Sequence, residues 1–199
     1  MFWLAVHSMS VRMSSSQSLK FQIEWALTKP EQLVRVPGNT LKAQRKDKMQ
    51  KEREWGNAMI GQENNGQWTT LLGENLVRDV LRLRGETPRR PDKRGGFQPD
   101  WETDSFVYEV KTSNWWVDGT AGEKVFGTWI KYQDIPDLYR KPLRIVCVAR
   151  QEHELEYGKV QYFGKGVKGK TKAALALASS WGIEYVRFSD LVADVKHQL

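Results

Sequence analysis

The segment Leu143–Ala149, LRIVCVA, restricts the fold more than any other part of the chain. Six of its seven residues are apolar, and polar and apolar positions do not alternate. A strand of this kind is buried on both faces, as in a parallel sheet covered by helices. An alanine-rich helix, KTKAALALASSW, and a second strand, IEYVRF, follow it. We therefore predict an α/β fold with a central mixed sheet, flanking helices and at least one parallel strand pair.

A second set of elements precedes this strand. Apolar residues at helical spacing predict a helix from Trp68 to Arg84, with Glu74 beside the apolar stripe. A basic loop, ETPRRPDKRGG, comes next. Two short strands are then predicted over residues 97–101 and 105–112, with a tight turn at residues 102–104. Near the end of the chain, Ser189 is expected to cap a final helix, DLVADVKHQ.

Residues 1–66 are predicted to form a basic, mainly helical extension that belongs to the same globule as residues 67–199. Thr40 is a good N-cap for a helix over TLKAQRKDKMQKEREW. That helix contains six basic residues, namely Lys42, Arg45, Lys46, Lys48, Lys51 and Arg53. Two interpretations stay open for it: a solvated helix face, or a helix that contacts phosphate groups.

Overall charge and cysteine content narrow the class of partner and the compartment. The chain has 31 Lys and Arg against 24 Asp and Glu, a net charge of +7. This excess favours a polyanionic partner, nucleic acid before an anionic membrane surface. The single cysteine, Cys147, excludes an internal disulfide and suits a reducing compartment. The start, MFWLAVHSMS, has no basic region typical of a signal peptide, and no stretch approaches the ~20 apolar residues of a membrane span, so we expect a cytoplasmic protein.

Three charged residues lie within or next to the two short strands. Glu109 and Lys111 are two positions apart and therefore project from the same face of their strand. A hairpin would bring Asp100 beside them. Two carboxylates that share a site repel each other, and Mg²⁺ accepts one or two carboxylates while keeping water ligands. A neighbouring lysine could then orient or activate water for attack on a phosphodiester.

These residues resemble the motif of the PD-(D/E)XK nuclease superfamily. Pro99-Asp100 matches the "PD", and Glu109-Val110-Lys111 matches the "(D/E)XK". The resemblance covers about residues 68–188, because Glu74 also matches an additional glutamate on the preceding helix and the later helices and strands follow the order of the family. It implies a restriction-endonuclease-like core, most similar to that of a small type II restriction endonuclease.

The resemblance also implies roles for particular residues. Asp100, Glu109, Lys111 and Glu74 would be catalytic, and Mg²⁺, for which Mn²⁺ can substitute, would bind Asp100, Glu109 and the Val110 carbonyl. The partner would be double-stranded DNA, and a palindromic target would favour a homodimer. The residues expected to contact DNA are polar or basic: Arg89, Arg90, Lys93, Arg94, Ser113, Asn114, Lys124, Lys131, Lys165, Lys168 and Lys170.

The acidic cluster is also compatible with different roles. Glu109 and Lys111 could form a same-face ion pair on an exposed strand without any catalytic role. Within the same superfamily, the chain could instead be a junction resolvase or a homing or repair nuclease. A DNA-binding module without activity is a further alternative.

The segment GKGVKGKT, residues 164–171, matches the phosphate-binding pattern G-x-x-x-x-G-K-[ST]. It follows VQYF and precedes a helix, which predicts the strand–loop–helix context that this motif requires. Only 28 residues follow Thr171, too few for the remainder of a nucleotide-hydrolysing domain. The later strand contains Arg187 where an apolar run ending in aspartate would be needed. We therefore expect no nucleoside triphosphate, and interpret the loop as a contact for a DNA phosphate at a helix N-terminus.

Overall fold

The computed structural model describes residues 15–117 and 123–198, with the backbone alone for residues 15–17, 123 and 124. The initial segment MFWLAVHSMS, the Lys124 side chain and the glycine-containing part of the segment after Val117 lie outside this description.

Four strands form one sheet in the order β1, β2, β3, β4, with bounds β1 Trp101–Glu102, β2 Val107–Ser113, β3 Leu143–Ala149 and β4 Ile183–Arg187. The first pair, β1 and β2, is antiparallel, whereas β2, β3 and β4 are parallel to one another. In the parallel register Lys111 lies opposite Cys147, which in turn lies opposite Arg187. The predicted α/β fold with a mixed, helix-flanked sheet is thus confirmed.

Nine α-helices are described, and a 3₁₀ turn at Lys196–Gln198 follows the last one. Their bounds are α1 Ser15–Leu27, α2 Leu41–Ile60, α3 Trp68–Leu83, α4 Glu123–Phe126, α5 Thr128–Lys131, α6 Ile135–Tyr139, α7 Arg150–Tyr157, α8 Gly169–Ser180 and α9 Phe188–Ala193. Three of them, α4 to α6, are single turns that lead from the end of β2 towards β3.

Each face of the sheet packs against its own set of helices. Tyr108, Val110, Val146 and Val148 share a core with apolar residues of α1, α3 and α9. The alternate positions Val107, Leu143, Ile145 and Ile183 share another core with α6 and α8. Because helices cover β3 on both faces, almost all of its side chains are buried, which explains its continuous apolar sequence.

Several local predictions were wrong. β1 is only two residues long, so Asp100 precedes the strand and Glu102 belongs to it. α1 was not predicted, and neither was α7, which begins directly after β3. α9 begins at Phe188 without a side-chain cap, and Ser189 instead donates its N–H and Oγ–H to the Glu152 carboxylate. Helix propensity and capping patterns are weak where tertiary contacts supply the hydrogen bonds.

The N-terminal helices pack on α3 and on the segment that follows β2. Gly56 of α2 lies directly against the Trp68 ring, since a Cβ there would be 2.0 Å from Cε3. Trp25 of α1 packs against the same ring, with a centroid distance of 5.9 Å. The Trp115 indole N–H donates to the Trp25 carbonyl at 2.9 Å. These contacts connect α1, α2 and α3 to the strand that carries Glu109 and Lys111.

None of the helices within residues 15–117 and 123–198 combines the length and the apolar character that crossing a lipid bilayer requires.

Candidate active site

Strand β2 places Glu109 and Lys111 on one face, as the two-residue period of a strand requires. The Lys111 Nζ donates to Glu109 Oε1 at 2.5 Å. The Glu109 side chain is 7% exposed, whereas that of Lys111 is 28% exposed. The pair is therefore not a solvated ion pair on an exposed strand, because the carboxylate is buried and the ammonium group lies at the edge of the solvent.

Asp100 lies beside this pair because it precedes β1 in the hairpin. Its N–H donates to the Tyr108 carbonyl at 3.0 Å, and its Oδ2 accepts the Val110 N–H at 2.7 Å. The N–H and C=O of one strand residue point to the same side of the strand. The Val110 carbonyl consequently faces the Asp100 side of β2, whereas the Val107 N–H faces β3 and donates to Pro142.

Helix α3 brings Glu74 to the same edge of the sheet. Its close approach to β2 depends on Gly73, because a Cβ at that position would lie 1.7 Å from Thr112 Oγ1. The Glu74 carbonyl accepts the Trp101 indole N–H at 2.9 Å, which fixes the helix to β1. Glu74 itself is buried, with a relative exposure of 8%. A glycine at the closest helix–strand contact is thus what allows the third carboxylate to approach.

Arg90 connects Glu74 and Asp100. Its guanidinium group forms an ion pair with Glu74 Oε2 and lies 3.6 Å from Asp100 Oδ1. It also donates to the Asp100 carbonyl at 3.0 Å and lies 4.4 Å from the centroid of the Trp101 ring. Although the sequence suggested a DNA contact, the structure places Arg90 between two carboxylates of the candidate site.

At Asp100, the basic side chains of the cluster do not fully offset the effect of the neighbouring carboxylates. Burial, together with the negative charges of Glu109 and Glu74, raises the pKa of Asp100 to about 7. The hydrogen bond from the Val110 N–H and the positive charge of Lys111 act in the opposite direction. Two acids held this close commonly need a cation, and perturbed acids of this type concentrate at functional sites.

Tyr132, at the end of α5, is a site residue that the sequence did not reveal. Its hydroxyl hydrogen-bonds with Glu109, and burial followed by the Glu109 charge raises the pKa of Tyr132. Its ring lies 5.7 Å from Lys111 Nζ and 4.8 Å from Lys131 Nζ. Tyr132 is 21 positions after Lys111 and outside any local pattern, so only the packing of α5 brings it to β2.

The oxygen donors of the cluster suit a hard divalent cation. Asp100, Glu109 and the Val110 carbonyl provide the carboxylate and carbonyl oxygens that Mg²⁺ prefers. Lys111 forms an ion pair with Glu109, and Arg90 forms one with Glu74. Among the described residues, no three His, Cys, Asp or Glu side chains converge closely enough to hold a metal. The donor set fits chemically, and an incoming cation would compete with the two basic side chains.

The residues expected to contact DNA are distributed unevenly. Ser113 is buried, and the Asn114 side chain hydrogen-bonds with Glu52. Arg89 forms an ion pair with Glu102 at 3.1 Å, and Arg94 lies 4.8 Å from the Tyr139 ring. The exposed basic residues of the set are Lys93, Lys131, Lys165, Lys168 and Lys170, together with the partly engaged Arg89, Arg90 and Arg94.

The loop that resembles a phosphate-binding motif lacks the strand expected before it. Residues 160–163 are irregular, and Gly164, with φ of +76°, begins a turn before α8. Because α8 connects to the parallel strand β4, its N-terminus lies at the carboxyl end of the sheet, where β2 also ends. The strand–loop–helix context suggested by the sequence was therefore wrong, whereas the exposed lysines of the loop lie at the same end of the sheet as Ser113.

Comparisons of the sequence with protein-family models and curated proteins, and of the structure with solved structures, give no match. The functional conclusion consequently depends on the arrangement of the residues themselves.

Proposed function

We propose that the chain is a Mg²⁺-dependent endodeoxyribonuclease with a PD-(D/E)XK core, and that it acts as a site-specific type II restriction endonuclease on double-stranded DNA. The observation that supports this best is the contact of Asp100 Oδ2 with the Val110 N–H at 2.7 Å. This contact holds the first carboxylate against the Glu109-Val110-Lys111 segment, where burial and the negative charges of Glu109 and Glu74 raise the pKa of Asp100.

The side chains have separate roles in this proposal. Asp100, Glu109 and the Val110 carbonyl would hold the cation, which when bound would offset the negative charge that develops on the scissile phosphate. Lys111, at the solvent edge of the cluster, would position the attacking water and relay its proton: Nζ would take up the proton that the water loses while giving one of its own to the solvent. The leaving-group oxygen would be protonated from the solvent as its bond to phosphorus breaks. Glu74 would act through Arg90, which keeps the Asp100 side of the site in place.

The exposed lysines near the carboxyl end of the sheet are suited to contacts with DNA phosphates. Lys165, Lys168 and Lys170 are exposed around the N-terminus of α8, where main-chain N–H groups also favour an anion. Lys131 is exposed one position before Tyr132. Such contacts supply affinity without base selection, so they support DNA as the substrate but not a particular target sequence.

Digestion of a defined linear DNA tests the proposal. The wild-type protein should cut with Mg²⁺ or Mn²⁺ and stop in EDTA, and Asp100→Ala or Glu109→Ala should abolish cutting while leaving DNA binding unchanged or tighter. Asp104→Ala, which removes a carboxylate that is 95% exposed in the β1–β2 turn, is the matched control and should cut normally. Normal cleavage by either site variant would remove that residue from the active site.

Sequencing of the cut ends separates the proposed restriction activity from other nuclease activities. A restriction endonuclease yields one recurrent palindromic end sequence on linear duplex DNA. A junction resolvase would leave the linear duplex intact and cut a four-way junction, and a non-catalytic module would bind DNA without producing any ends.

A further inference from the structure

The first half of α2 extends beyond the body of the protein. Residues 41–51 are exposed, except for Gln44, which is half-buried. Burial begins at Glu52 and continues at Gly56 and Asn57. The exposed part contains five basic residues against one acidic residue, Asp47. We refer to residues 41–51 of α2 as the basic arm.

The basic arm has two distinguishable sides. An α-helix turns by about 100° per residue, so Lys46, eleven residues before Asn57, points within about 20° of it, and Lys42 points within about 40° of Gly56. These lysines therefore face the side on which α2 meets the core. Lys51 points about 100° or more away from each of the three buried residues of α2, Glu52, Gly56 and Asn57, whereas Lys48 points about 180° from Asn57 but within about 40° of Glu52. Averaged over these three buried residues, the deviation is about 60° for Lys42 and about 70° for Lys46, against about 100° for Lys48 and about 120° for Lys51.

A buried carboxylate fixes the arm relative to the candidate active site. Glu52, 1% exposed, accepts the Trp25 indole N–H at 3.0 Å and the main-chain N–H groups of Trp115 and Trp116 at 2.9 and 3.2 Å. Trp115 is only four residues after Lys111, a path of at most about 14 Å along the chain. The orientation of α2 is thereby tied to the strand that carries Glu109 and Lys111.

We propose that the inner side of the basic arm, Lys42 and Lys46, contacts the phosphates of the DNA duplex that occupies the active site. Lys42 lies ten helical residues, about 15 Å, from Glu52. With the Glu52 side chain and its 2.9 Å hydrogen bond to the Trp115 N–H included, the path from Lys111 to Lys42 is at most on the order of 37 Å, close to the ~34 Å of one duplex turn. The inference depends on the proposed nuclease function, and it assigns a substrate-binding role to the part of the chain that the nuclease motif does not cover.

Two double variants with the same change of charge test the arm. Lys42→Gln/Lys46→Gln neutralises the inner side, and Lys48→Gln/Lys51→Gln neutralises the other side of the same segment. Lysine and glutamine have similar helix propensities, so α2 should remain intact in both, which circular dichroism checks. Binding to a 30-base-pair duplex is measured by fluorescence anisotropy with Ca²⁺ in place of Mg²⁺, over a series of salt concentrations.

Two lost phosphate contacts should lower the salt slope by about two and the affinity by about 10- to 60-fold near 0.1 M salt. The inner-side variant should show both changes. In the control variant, the decrease in the salt slope should be less than half as large. Equal losses would mean that net charge alone matters, and an unchanged inner-side variant would mean that the arm does not touch DNA; either result overturns the inference. Loss of binding to phosphatidylserine vesicles without loss of DNA binding would also overturn it, in favour of a membrane contact.

The cleavage assay separates failure of this inference from failure of the proposed function. If the inner-side variant binds and cuts DNA normally, the nuclease function stands and the arm is not involved. If the inner-side variant alone loses DNA affinity while the wild-type protein cuts no DNA, the arm is a DNA contact and the proposed catalytic function is wrong.

Discussion

Replacement of Asp100 by asparagine should stabilise the metal-free protein relative to wild type, and this gain in the free energy of unfolding should be larger at high pH than at low pH. The folded pKa of Asp100 is raised to about 7 from an unfolded value of 3.8. The folded state therefore binds more protons than the unfolded state between about pH 4 and pH 7, so wild-type stability falls as the pH rises through this range. Asparagine keeps a similar shape, carries no charge and cannot titrate, so the variant lacks this loss.

The size of the effect follows from the difference of about three pH units between the two states. Full ionisation of Asp100 in the fold would cost about 4 kcal/mol, of which about 2.5 kcal/mol develops between pH 5 and pH 8. The free energy of unfolding of Asp100→Asn minus that of wild type should increase by up to this amount between the two pH values. Because a difference between pH values is measured, any constant cost of the amide cancels.

Urea unfolding in EDTA at pH 5 and pH 8 measures this change, with Asp104→Asn as the control for losing a charge at an exposed position. Mg²⁺ added at pH 8 should stabilise the wild-type protein, by about 2.7 kcal/mol at a hundred times its dissociation constant, and should stabilise Asp100→Asn much less. If the stability difference between Asp100→Asn and wild type is the same at both pH values, burial and the neighbouring carboxylates do not raise the pKa of Asp100, and the prediction is refuted.

Three further predictions concern catalysis, the attachment of α2 and the packing of α3. Lys111→Ala should lower the cleavage rate by roughly 10²–10⁴-fold without loss of fold, and Lys111→Arg should stay impaired if proton transfer matters. Single-turnover cleavage measures both rates, and a wild-type rate in the alanine variant would exclude a catalytic role. Glu52→Ala should lower the free energy of unfolding by about 3–5 kcal/mol, since one buried and two partly buried N–H groups lose their acceptor. Glu54→Ala, on the exposed side of α2, should change it by less than about 0.5 kcal/mol in the same urea titration. Gly73→Ala should cost about 1–3 kcal/mol because its Cβ would overlap Thr112 Oγ1, and an unchanged urea midpoint would show that α3 can shift away from β2.

Local sequence patterns were sufficient for the parts of the fold that depend on periodicity. The continuous apolar run Leu143–Ala149 identified the central strand, and the stripe from Trp68 to Leu83 identified α3, because burial on one or two faces leaves a direct trace in the sequence. The two-residue spacing also placed Glu109 and Lys111 on one face of β2, since alternation is a property of any strand.

Tertiary structure alone decided what these residues contact. Arg90 lies between Glu74 and Asp100, and Tyr132 reaches Glu109, because α3, α5 and the hairpin pack around the same edge of the sheet. Likewise, nothing in the basic sequence of α2 distinguishes Glu52 from its exposed neighbour Glu54, although the buried Glu52 carboxylate accepts three N–H groups and Glu54 faces solvent. Contacts between segments far apart in the chain depend on how whole elements pack, and the local order of residues contains no record of that packing.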